Sequence, residues 1–284
     1  MLKQLLAISC ICFATVASFA QEEKQDDKYT SHNKGKIFFY WGGNGSNYTK
    51  SDIHFRGNGY NFTVHDAIAH DKPRGWSIDY INPSRMTIPQ TNFEVGYFIS
   101  DHYNVSFKVD HMKYVMTQYQ QATVSGLINL PESEAGSEFN GIYNNDEVYM
   151  TEDFLMFEHT DGLNYIHLGL SRFDDVTSLL GPINTDVFQI NVTEGIGGGI
   201  LLPKTNATLL SKERHDDFHV SGYGVSADVG VNLTFFKHFF VRGSLKGGFI
   251  DMPNIRTTND TSDKAKQHFF FYERLIGFGV IFKI

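Results

Sequence analysis

The stretch that decides the fold is residues 267–284, which reads QHFFFYERLIGFGVIFKI. From residue 276 onward every second position is apolar: Ile276, Phe278, Val280, Phe282 and Ile284. The opposite set contains small or charged residues: Glu273, Gly277, Gly279 and Lys283. A period of two is typical of a β-strand with unlike faces. Because this long strand runs to the last residue, we expect it to close a transmembrane β-barrel.

The first twenty residues are typical of a cleaved export signal. Lys3 gives the positive start, an apolar run follows over residues 5–17, and a small-x-small cleavage site ends at Ala20. The run is too short for a membrane-spanning helix, which needs about 20 apolar residues. Both cysteines, Cys10 and Cys12, lie in this segment, and lipidation is the less favoured alternative because the residues before Cys10 match a lipoprotein signal poorly. The mature chain would contain no cysteine, which excludes a disulfide scaffold and a thiolate metal site.

The composition of the remaining chain suits one large domain. We expect a polar, disordered leader over residues 21–34 and a single barrel over residues 35–284. Without Lys3 the chain keeps 23 basic against 32 acidic residues, and this excess of acid argues against nucleic acid as a partner. The chain has 25 Phe, 14 Tyr and 26 Gly, yet its mean hydropathy is −0.26. Many aromatic residues with a low mean hydropathy indicate a barrel, in which lipid-facing and interior residues alternate.

Alternation of apolar and polar residues predicts paired strands along most of the mature chain. Three strong hairpins are predicted, over residues 92–116 about the turn 100–102, over 152–173 about 160–162, and over 220–251 about 236–238. A weaker pair of strands is predicted over residues 186–204, around the glycines at 195 and 197.

These segments predict an all-β, antiparallel, up-and-down transmembrane β-barrel of about twelve strands. The number is twelve if residues 51–56 and 60–66 span the membrane, and ten if they form an extracellular hairpin. Short turns at residues 101, 161 and 237 would face the periplasm. The long polar connections would lie outside the cell: 117–149, 174–185, 206–217 and 252–266.

Three segments carry a resemblance to a known family: KIFFYW at 36–41, PQTNFEVGYFISDHYNVS at 89–106 and VDHMKYVM at 109–116. With the export signal, they resemble an outer-membrane β-barrel family of Bacteroidota-type Gram-negative bacteria. The resemblance implies the fold and an outer-membrane location, with no activity attached. A barrel in the outer membrane is expected to contact outer-membrane lipid and lipopolysaccharide and to be inserted by the barrel-insertion machinery. One departure is the last residue, Ile284, where such barrels usually end in an aromatic residue.

Charged residues fall on the face of each strand that would point into the barrel. The inward-facing candidates are Glu94, Lys108, Asp110, Glu158, His167, Asp228, Arg242, Lys246 and Glu273. Glu94 and Lys108 are expected to pair across the first hairpin, and Asp228 to lie near Arg242 or Lys246. The favoured interpretation is a set of paired charges that fills a narrow barrel, because an unpaired buried charge is costly. A polar pathway through the interior and a catalytic constellation are the alternatives.

A catalytic site in the interior would need a nucleophile, a base and an orienting acid. His167 and Ser171 share one strand face, and Glu158 would lie on the neighbouring strand. Positions four apart on a strand are separated by about 13 Å, so His167 and Ser171 cannot hydrogen-bond directly. No G-x-S-x-G, H-E-x-x-H or P-loop pattern occurs in the sequence, and no cofactor or metal site is predicted.

Three functional hypotheses follow. The first is a non-catalytic barrel with a structural, accessory or surface-interaction role that acts through its outer loops. The second is a narrow pore for small solutes, and the third is an enzyme that modifies envelope lipid. A soluble periplasmic β-sandwich is disfavoured, because its outer faces would carry polar residues where these strands carry Phe, Val and Ile.

Overall fold

The computed structural model describes residues 32–73, 75, 77–81, 89–215 and 217–284. The predicted signal, its cleavage site and the predicted leader as far as residue 31 lie outside these residues. The described chain forms fifteen strands. They are β1 (Lys36–Tyr48), β2 (Ser51–Gly57), β3 (Tyr60–Ala67), β4 (Ala69–His70), β5 (Thr91–Phe98), β6 (Tyr103–Met116), β7 (Gln121–Ile128), β8 (Gly141–Tyr149), β9 (Leu155–Asp175), β10 (Phe188–Pro203), β11 (Asn206–Leu209), β12 (Lys212–His215), β13 (Gly222–Phe235), β14 (Phe239–Arg256) and β15 (Lys264–Lys283). Short 3-10 helices cover Ile78–Ile81, Ser137–Phe139 and Thr177–Leu180. No helix in this part of the chain has the length and apolar content needed to cross a membrane.

Eight of these strands form a closed ring. Its order is β1-β5-β6-β9-β10-β13-β14-β15, and every neighbouring pair is antiparallel. The last strand, β15, returns to the first, with a continuous register from Lys36 opposite Lys283 to Tyr48 opposite Phe271. The predicted fold class, an all-β antiparallel up-and-down barrel closed by the last strand, is therefore confirmed.

The number of strands in the ring differs from the predicted twelve or ten. Residues 160–162 are not a turn, because β9 runs through them and its pairing with β6 shifts register there, between Met112 and Tyr114. Gly195 and Gly197 are not a turn either; they lie inside β10. These glycines are needed because the neighbouring strand crowds the interior: a Cβ at Gly197 would lie 2.7 Å from the His167 ring. Glycine in a sequence indicates a turn as readily as a close approach of this kind.

Both ends of the described chain lie at one end of the ring, which we call the turn end. It also carries the connections 99–102, 176–187 and 236–238 between neighbouring ring strands. The connection over residues 174–185, predicted among the outer loops, is therefore at the turn end instead. The prediction was wrong because this connection is long for a periplasmic turn: it contains a 3-10 helix between two ring strands. Lys34 lies here too, and its backbone N–H donates to Asp101 Oδ1 at 2.9 Å.

At the opposite end the ring continues into a second structure, which we call the extension: β2, β3, β4, β7, β8, β11 and β12. The first residues of β15 stay paired with β14 but extend beyond β1 and pair with β2 on that side, and the sheet continues from β2 through β3 and β7 to β8. The first residues of β9 likewise pair with β11, and β11 with β12. The predicted connections 117–149 and 206–217 therefore contain strands, and residues 51–56 and 60–66 lie in the extension rather than in the ring.

A single apolar core joins the ring to the extension. Phe55 and Phe62 are buried in the extension, and Phe157 is buried at the start of the ring strand β9; the Phe55 ring lies 5.3 Å from Phe62 and 5.7 Å from Phe157 between centroids. The same core includes Tyr165 and Phe269, which belong to the ring strands. The extension is therefore packed onto the end of the barrel as a continuous structure.

The outer surface of the ring is an apolar belt. Its members alternate with the interior residues on every ring strand, as expected of a two-faced sheet. Leu168, Ile196 and Ile276 are 69%, 63% and 63% exposed. Other exposed members are Phe39, Tyr97, Val105, Phe107, Leu170, Val192, Ile200, Tyr223, Val225, Val229, Val231, Val241, Leu245, Phe270, Tyr272, Phe278, Val280 and Phe282. A surface of this kind across eight neighbouring strands is far larger than the apolar patches of ordinary soluble proteins.

Candidate functional site in the barrel interior

The structure brings together eight of the nine charged residues that the sequence placed inside the barrel. Seven of them are buried in the middle of the ring: Glu94, Lys108, Asp110, His167, Arg242, Lys246 and Glu273. Asp228, on β13, joins them with a partly exposed side chain. The ninth, Glu158, lies on the opposite face of β9 from the buried Phe157 and His159, and it pairs with Lys72 at 3.5 Å. Strand alternation continues through the irregular region of β9, which puts residue 158 outside the interior.

One half of the interior charge cluster is centred on Glu94. Its Oε2 accepts a hydrogen bond of 2.7 Å from Arg242 Nη1. The Lys108 Nζ lies 3.6 Å from Glu94 Oε1 and 3.2 Å from Asp228 Oδ1. Glu94 and Lys108 occupy directly opposite positions on β5 and β6. Asp228 lies opposite Lys246 in the register, but the ion pair it forms is with Lys108, across the barrel.

The other half is centred on Asp110 and Lys246. The Lys246 ammonium donates a short hydrogen bond to Asp110, whose other oxygen accepts from the Asn92 amide. His167 Nδ1 lies 3.8 Å from Asp110 Oδ2. Glu273 is fully buried, and among the described residues no donor reaches either of its oxygens; Lys246 Nζ is 3.8 Å away.

The charges in this cluster nearly balance. Glu94, Asp110, Asp228 and Glu273 supply four carboxyl groups, against the permanent cations Lys108, Arg242 and Lys246. One further proton, on His167 or on a carboxyl group, makes the cluster neutral. Buried charges are tolerated when they are paired in this way, so the cluster fills the interior without an uncompensated ion.

Aromatic residues close the interior on the turn-end side of the cluster. Phe38, Phe98, Phe173 and Phe240 are buried there together with Tyr40 and Ile281. The Arg242 guanidinium carbon lies 4.9–5.3 Å from the ring centroids of Phe38, Tyr40, Phe173 and Phe240. Arg242 is thus held by Glu94 on one side and by aromatic faces on the other. We call this group the aromatic plug.

Apolar side chains also close the interior on the side of the extension. Tyr114, Tyr165, Phe269 and Phe271 are buried above the cluster as part of the core shared with the extension. The Tyr165 ring stacks on His167, with centroids 4.0 Å apart. A cavity of about 20 Å³ lies within the cluster, between Lys108, Asp228 and Lys246. This is room for about one water molecule, and the cluster lies between two apolar layers.

The residues considered for catalysis in the interior are not assembled. Ser171 Oγ is buried and has no hydrogen-bond partner among the described residues, and Glu158 lies outside the barrel interior. His167 Nδ1 instead faces Tyr165 O, at 3.4 Å, and Asp110. In the described part of the chain no group of three or more His, Cys, Asp or Glu side chains is arranged to hold a metal ion. The geometry therefore supports charge pairing in the interior.

Sequence reasoning missed the polar and aromatic partners of these charges. Asn92 and Asn44 hydrogen-bond to each other at 2.8 Å beside Asp110. Asn92 alternates with Glu94 on β5, so its inward position was readable from the period of two. The aromatic plug could not be predicted from the sequence, because its members come from five ring strands that meet only in the closed barrel.

Comparisons with known proteins place the chain in no family. No protein family and no curated protein matches its sequence. Three solved structures illustrate the similarity found: the outer membrane protein OprG from Pseudomonas aeruginosa, the outer membrane protease OmpT from Escherichia coli, and Ail, the attachment invasion locus protein of Yersinia pestis. OprG is 13% identical with a TM-score of 0.39, covering 89% of this chain and 99% of its own. OmpT is 10% identical with a TM-score of 0.39 and coverages of 90% and 99%, and Ail is 12% identical with a TM-score of 0.30 and coverages of 88% and 99%. At these values the similarities decide nothing further, and the fold rests on the strand pairing itself.

Proposed function

We propose that this protein is an integral outer-membrane β-barrel whose closed, non-catalytic interior makes it an anchor for the extension, which has a surface-interaction role. The observation that carries the proposal is the enclosure of the charge cluster. A conducting pathway would keep its charged side chains wet, but Glu273, Asp110 and Lys246 are 0%, 2% and 3% exposed. Eight-stranded barrels are narrow enough for side chains to fill the interior, and this one is filled.

The apolar belt supports a membrane location. On β15 its members run from Phe270 to Phe282, which is about 40 Å of strand at ~3.4 Å per residue. A strand tilt of about 40° reduces this to a height of about 30 Å. A hydrocarbon core of about 30 Å would cover that height. We infer that the belt contacts outer-membrane lipid and lipopolysaccharide and that the chain reaches the membrane through the barrel-insertion machinery.

The shape of the molecule supports an orientation with the turn end in the periplasm. Outer-membrane barrels have short periplasmic turns and longer extracellular segments. Here the connections 99–102 and 236–238 are short, whereas the opposite end builds the whole extension. The extension then faces outward from the cell, where its polar surface is available to partners.

The test of location and orientation uses single cysteines, since the predicted mature chain has none. Thr261→Cys places a thiol in the exposed loop between β14 and β15, and Lys237→Cys places one in the exposed turn between β13 and β14. Intact cells are treated with a membrane-impermeant maleimide. We expect labelling at residue 261 in intact cells and at residue 237 only after the outer membrane is opened. Labelling of both variants only after opening would refute surface exposure.

The pore hypothesis is tested separately by conductance. The purified protein is inserted into planar lipid bilayers and compared with an open outer-membrane porin as a positive control. We expect no discrete conductance steps, because the charge cluster is covered by apolar layers on both sides. Reproducible steps that scale with the amount of inserted protein would show that the interior opens, and would replace the anchor by a channel.

A further inference from the structure

Three neighbouring strands of the extension bring a serine, a histidine and an aspartate into contact. His65 on β3 lies between Asp52 on β2 and Ser125 on β7. Its Nε2 is 2.7 Å from Ser125 Oγ, and its Nδ1 is 3.2 Å from Asp52 Oδ2. All three side chains point away from the apolar core, whose members on these strands are Ile53, Val64 and Val124.

The two contacts of His65 define roles for its ring nitrogens. With Nδ1 protonated and donating to Asp52, Nε2 is free to accept the hydroxyl proton of Ser125. The carboxylate is itself oriented, because Asp66 N–H donates to Asp52 Oδ1 at 3.0 Å. Burial would raise the pKa of the Asp52 carboxyl, but the hydrogen bonds from Asp66 and His65 outweigh it and hold the pKa below its ordinary value. Asp52 is therefore ionised at neutral pH, as an acid that orients a base must be.

The surface beside Ser125 has an apolar part and a hydrogen-bonding part. Leu127 and Ile142 lie directly opposite each other on β7 and β8, and they are 47% and 82% exposed. Leu127 is the next residue after Ser125 on the same face of β7, and Ile142 lies beside Leu127 on β8. Asn144 lies directly opposite Ser125 on β8. The strand is bulged there, with Asn145 at a φ of 59°, and bulges of this kind often re-aim side chains beside active sites.

We propose that Asp52, His65 and Ser125 form a hydrolytic site for carboxylic esters whose acyl chain lies on Leu127 and Ile142. This activity goes beyond the anchoring role proposed above and does not depend on it. The substrate class follows from the side chains beside Ser125, because the exposed Leu127 and Ile142 suit an apolar acyl chain. Asn144, directly opposite Ser125 on β8, is the proposed donor to the oxygen that becomes negative.

The reaction that this geometry supports is acyl transfer to Ser125 followed by hydrolysis. Ser125 Oγ forms a bond to the ester carbonyl carbon while its proton moves to His65 Nε2. The C–O bond to the alcohol then breaks, and the alkoxide leaves with that proton as the free alcohol. Water next attacks the acyl carbon, gives a proton to His65, and releases the carboxylic acid as Ser125 Oγ takes the proton back. The sum is ester plus water to acid plus alcohol, with no other reactant.

A second histidine on the same face provides a matched control. His54 Nδ1 lies 2.9 Å from Thr63 Oγ1, which is a histidine–hydroxyl contact of similar length made through the other ring nitrogen, and both histidines are half-buried. Two cations lie beside it, since His54 is directly opposite Lys266 and precedes Arg56 by two residues on β2. His54 therefore has a hydroxyl partner but lacks the carboxylate contact that His65 makes with Asp52.

The experiment measures hydrolysis of p-nitrophenyl acetate, butyrate and octanoate by the detergent-solubilised full-length protein. We expect turnover that Ser125→Ala, His65→Ala and Asp52→Asn each reduce by about 100-fold or more in kcat/KM. His54→Ala should retain it within about twofold. Leu127→Ser should raise KM for the octanoate and leave the acetate nearly unchanged, a difference that a purely structural role would not produce. The unboiled gel mobility of each variant verifies that it is folded.

A covalent probe gives an independent readout. An alkyl fluorophosphonate should attach to Ser125, as located by peptide mass spectrometry, and attachment should disappear in Ser125→Ala and weaken in His65→Ala. Turnover no higher than that of the heat-unfolded protein, or equal turnover in wild type and Ser125→Ala, would overturn the proposal. Attachment of the probe at another residue would overturn it as well.

Discussion

Removing the negative charge of Glu94 should destabilise the barrel much more than the same change at Glu273. Glu94→Gln takes the carboxylate away from Arg242, which is buried and 2.7 Å from it. Breaking a buried ion pair from one side costs about 3–5 kcal/mol, because the remaining charge has no partner. The aromatic rings around Arg242 offset about 1–2 kcal/mol of this, so we expect a net loss of about 1–4 kcal/mol.

Glu273→Gln is the matched control for this change. Glu273 is buried in the same cluster, but no donor among the described residues reaches its carboxyl oxygens. Replacing it by a neutral isostere removes a negative charge that Lys246 compensates only at 3.8 Å. Lys246 keeps its direct contact with Asp110. We therefore expect Glu273→Gln to change the free energy of unfolding by less than about 1 kcal/mol.

The assay is urea unfolding in phospholipid vesicles, followed by intrinsic tryptophan fluorescence. A double-mutant cycle with Arg242→Met isolates the ion pair. The variant with both changes should cost about 2 kcal/mol less than the sum of the single variants, because it leaves neither charge alone. Equal effects of Glu94→Gln and Glu273→Gln, or additive effects in the cycle, would refute the account of the interior as a cluster held by specific pairs.

Three further predictions follow from other parts of the molecule. Gly279→Ala should lower the free energy of unfolding by about 1–3 kcal/mol, because a Cβ there would overlap the Phe39 carbonyl oxygen and the Phe240 ring. Gly243→Ala is the control and should change it by less than about 0.5 kcal/mol, because a Cβ at that position has nothing within 4 Å. Equal urea midpoints for the two variants would contradict this. Burial, Arg56 and Lys266 lower the pKa of His54, so its contribution to stability is complete above its ordinary value of about 6.5 and is lost as the pH falls through its folded pKa. Lys266→Gln should therefore raise the His54 pKa measured by NMR, and an unchanged or lower value would count against the assignment. The mature protein should begin at Gln21 when its N-terminus is sequenced, and a start at Cys10 or Cys12 with an attached lipid would show the less favoured export route.

The parts of the fold that the sequence predicts well are those decided within one or two strands. The alternation in β15 gives its faces, and the hairpins β5–β6 and β13–β14 have both correct strands and correct turns, at 99–102 and 236–238. A period of two is a local property, and a short turn fixes the partner of each residue. The same logic predicted Glu94 and Lys108 as a diagonal pair across the ladder, and the register places them directly opposite each other.

The parts that the sequence could not give depend on strands far apart in the chain. Gly162 and Gly195 suggested turns, because nothing local shows that β9 and β10 continue through them. The contact of Asp52, His65 and Ser125 needs β7 to pair with β3, across about 60 residues of sequence. Their polar faces were readable one strand at a time, but their proximity follows only from the order of strands in the extension.

The most direct test of a closed barrel in the outer membrane is gel mobility. The outer-membrane fraction is run on SDS gels with and without boiling, and the band is detected with an antibody against the chain. A closed ring resists SDS, so the unboiled protein should migrate at a different apparent mass and shift on heating. A band of unchanged mobility, recovered from the soluble periplasmic fraction, would contradict the barrel, the belt and the enclosed interior together.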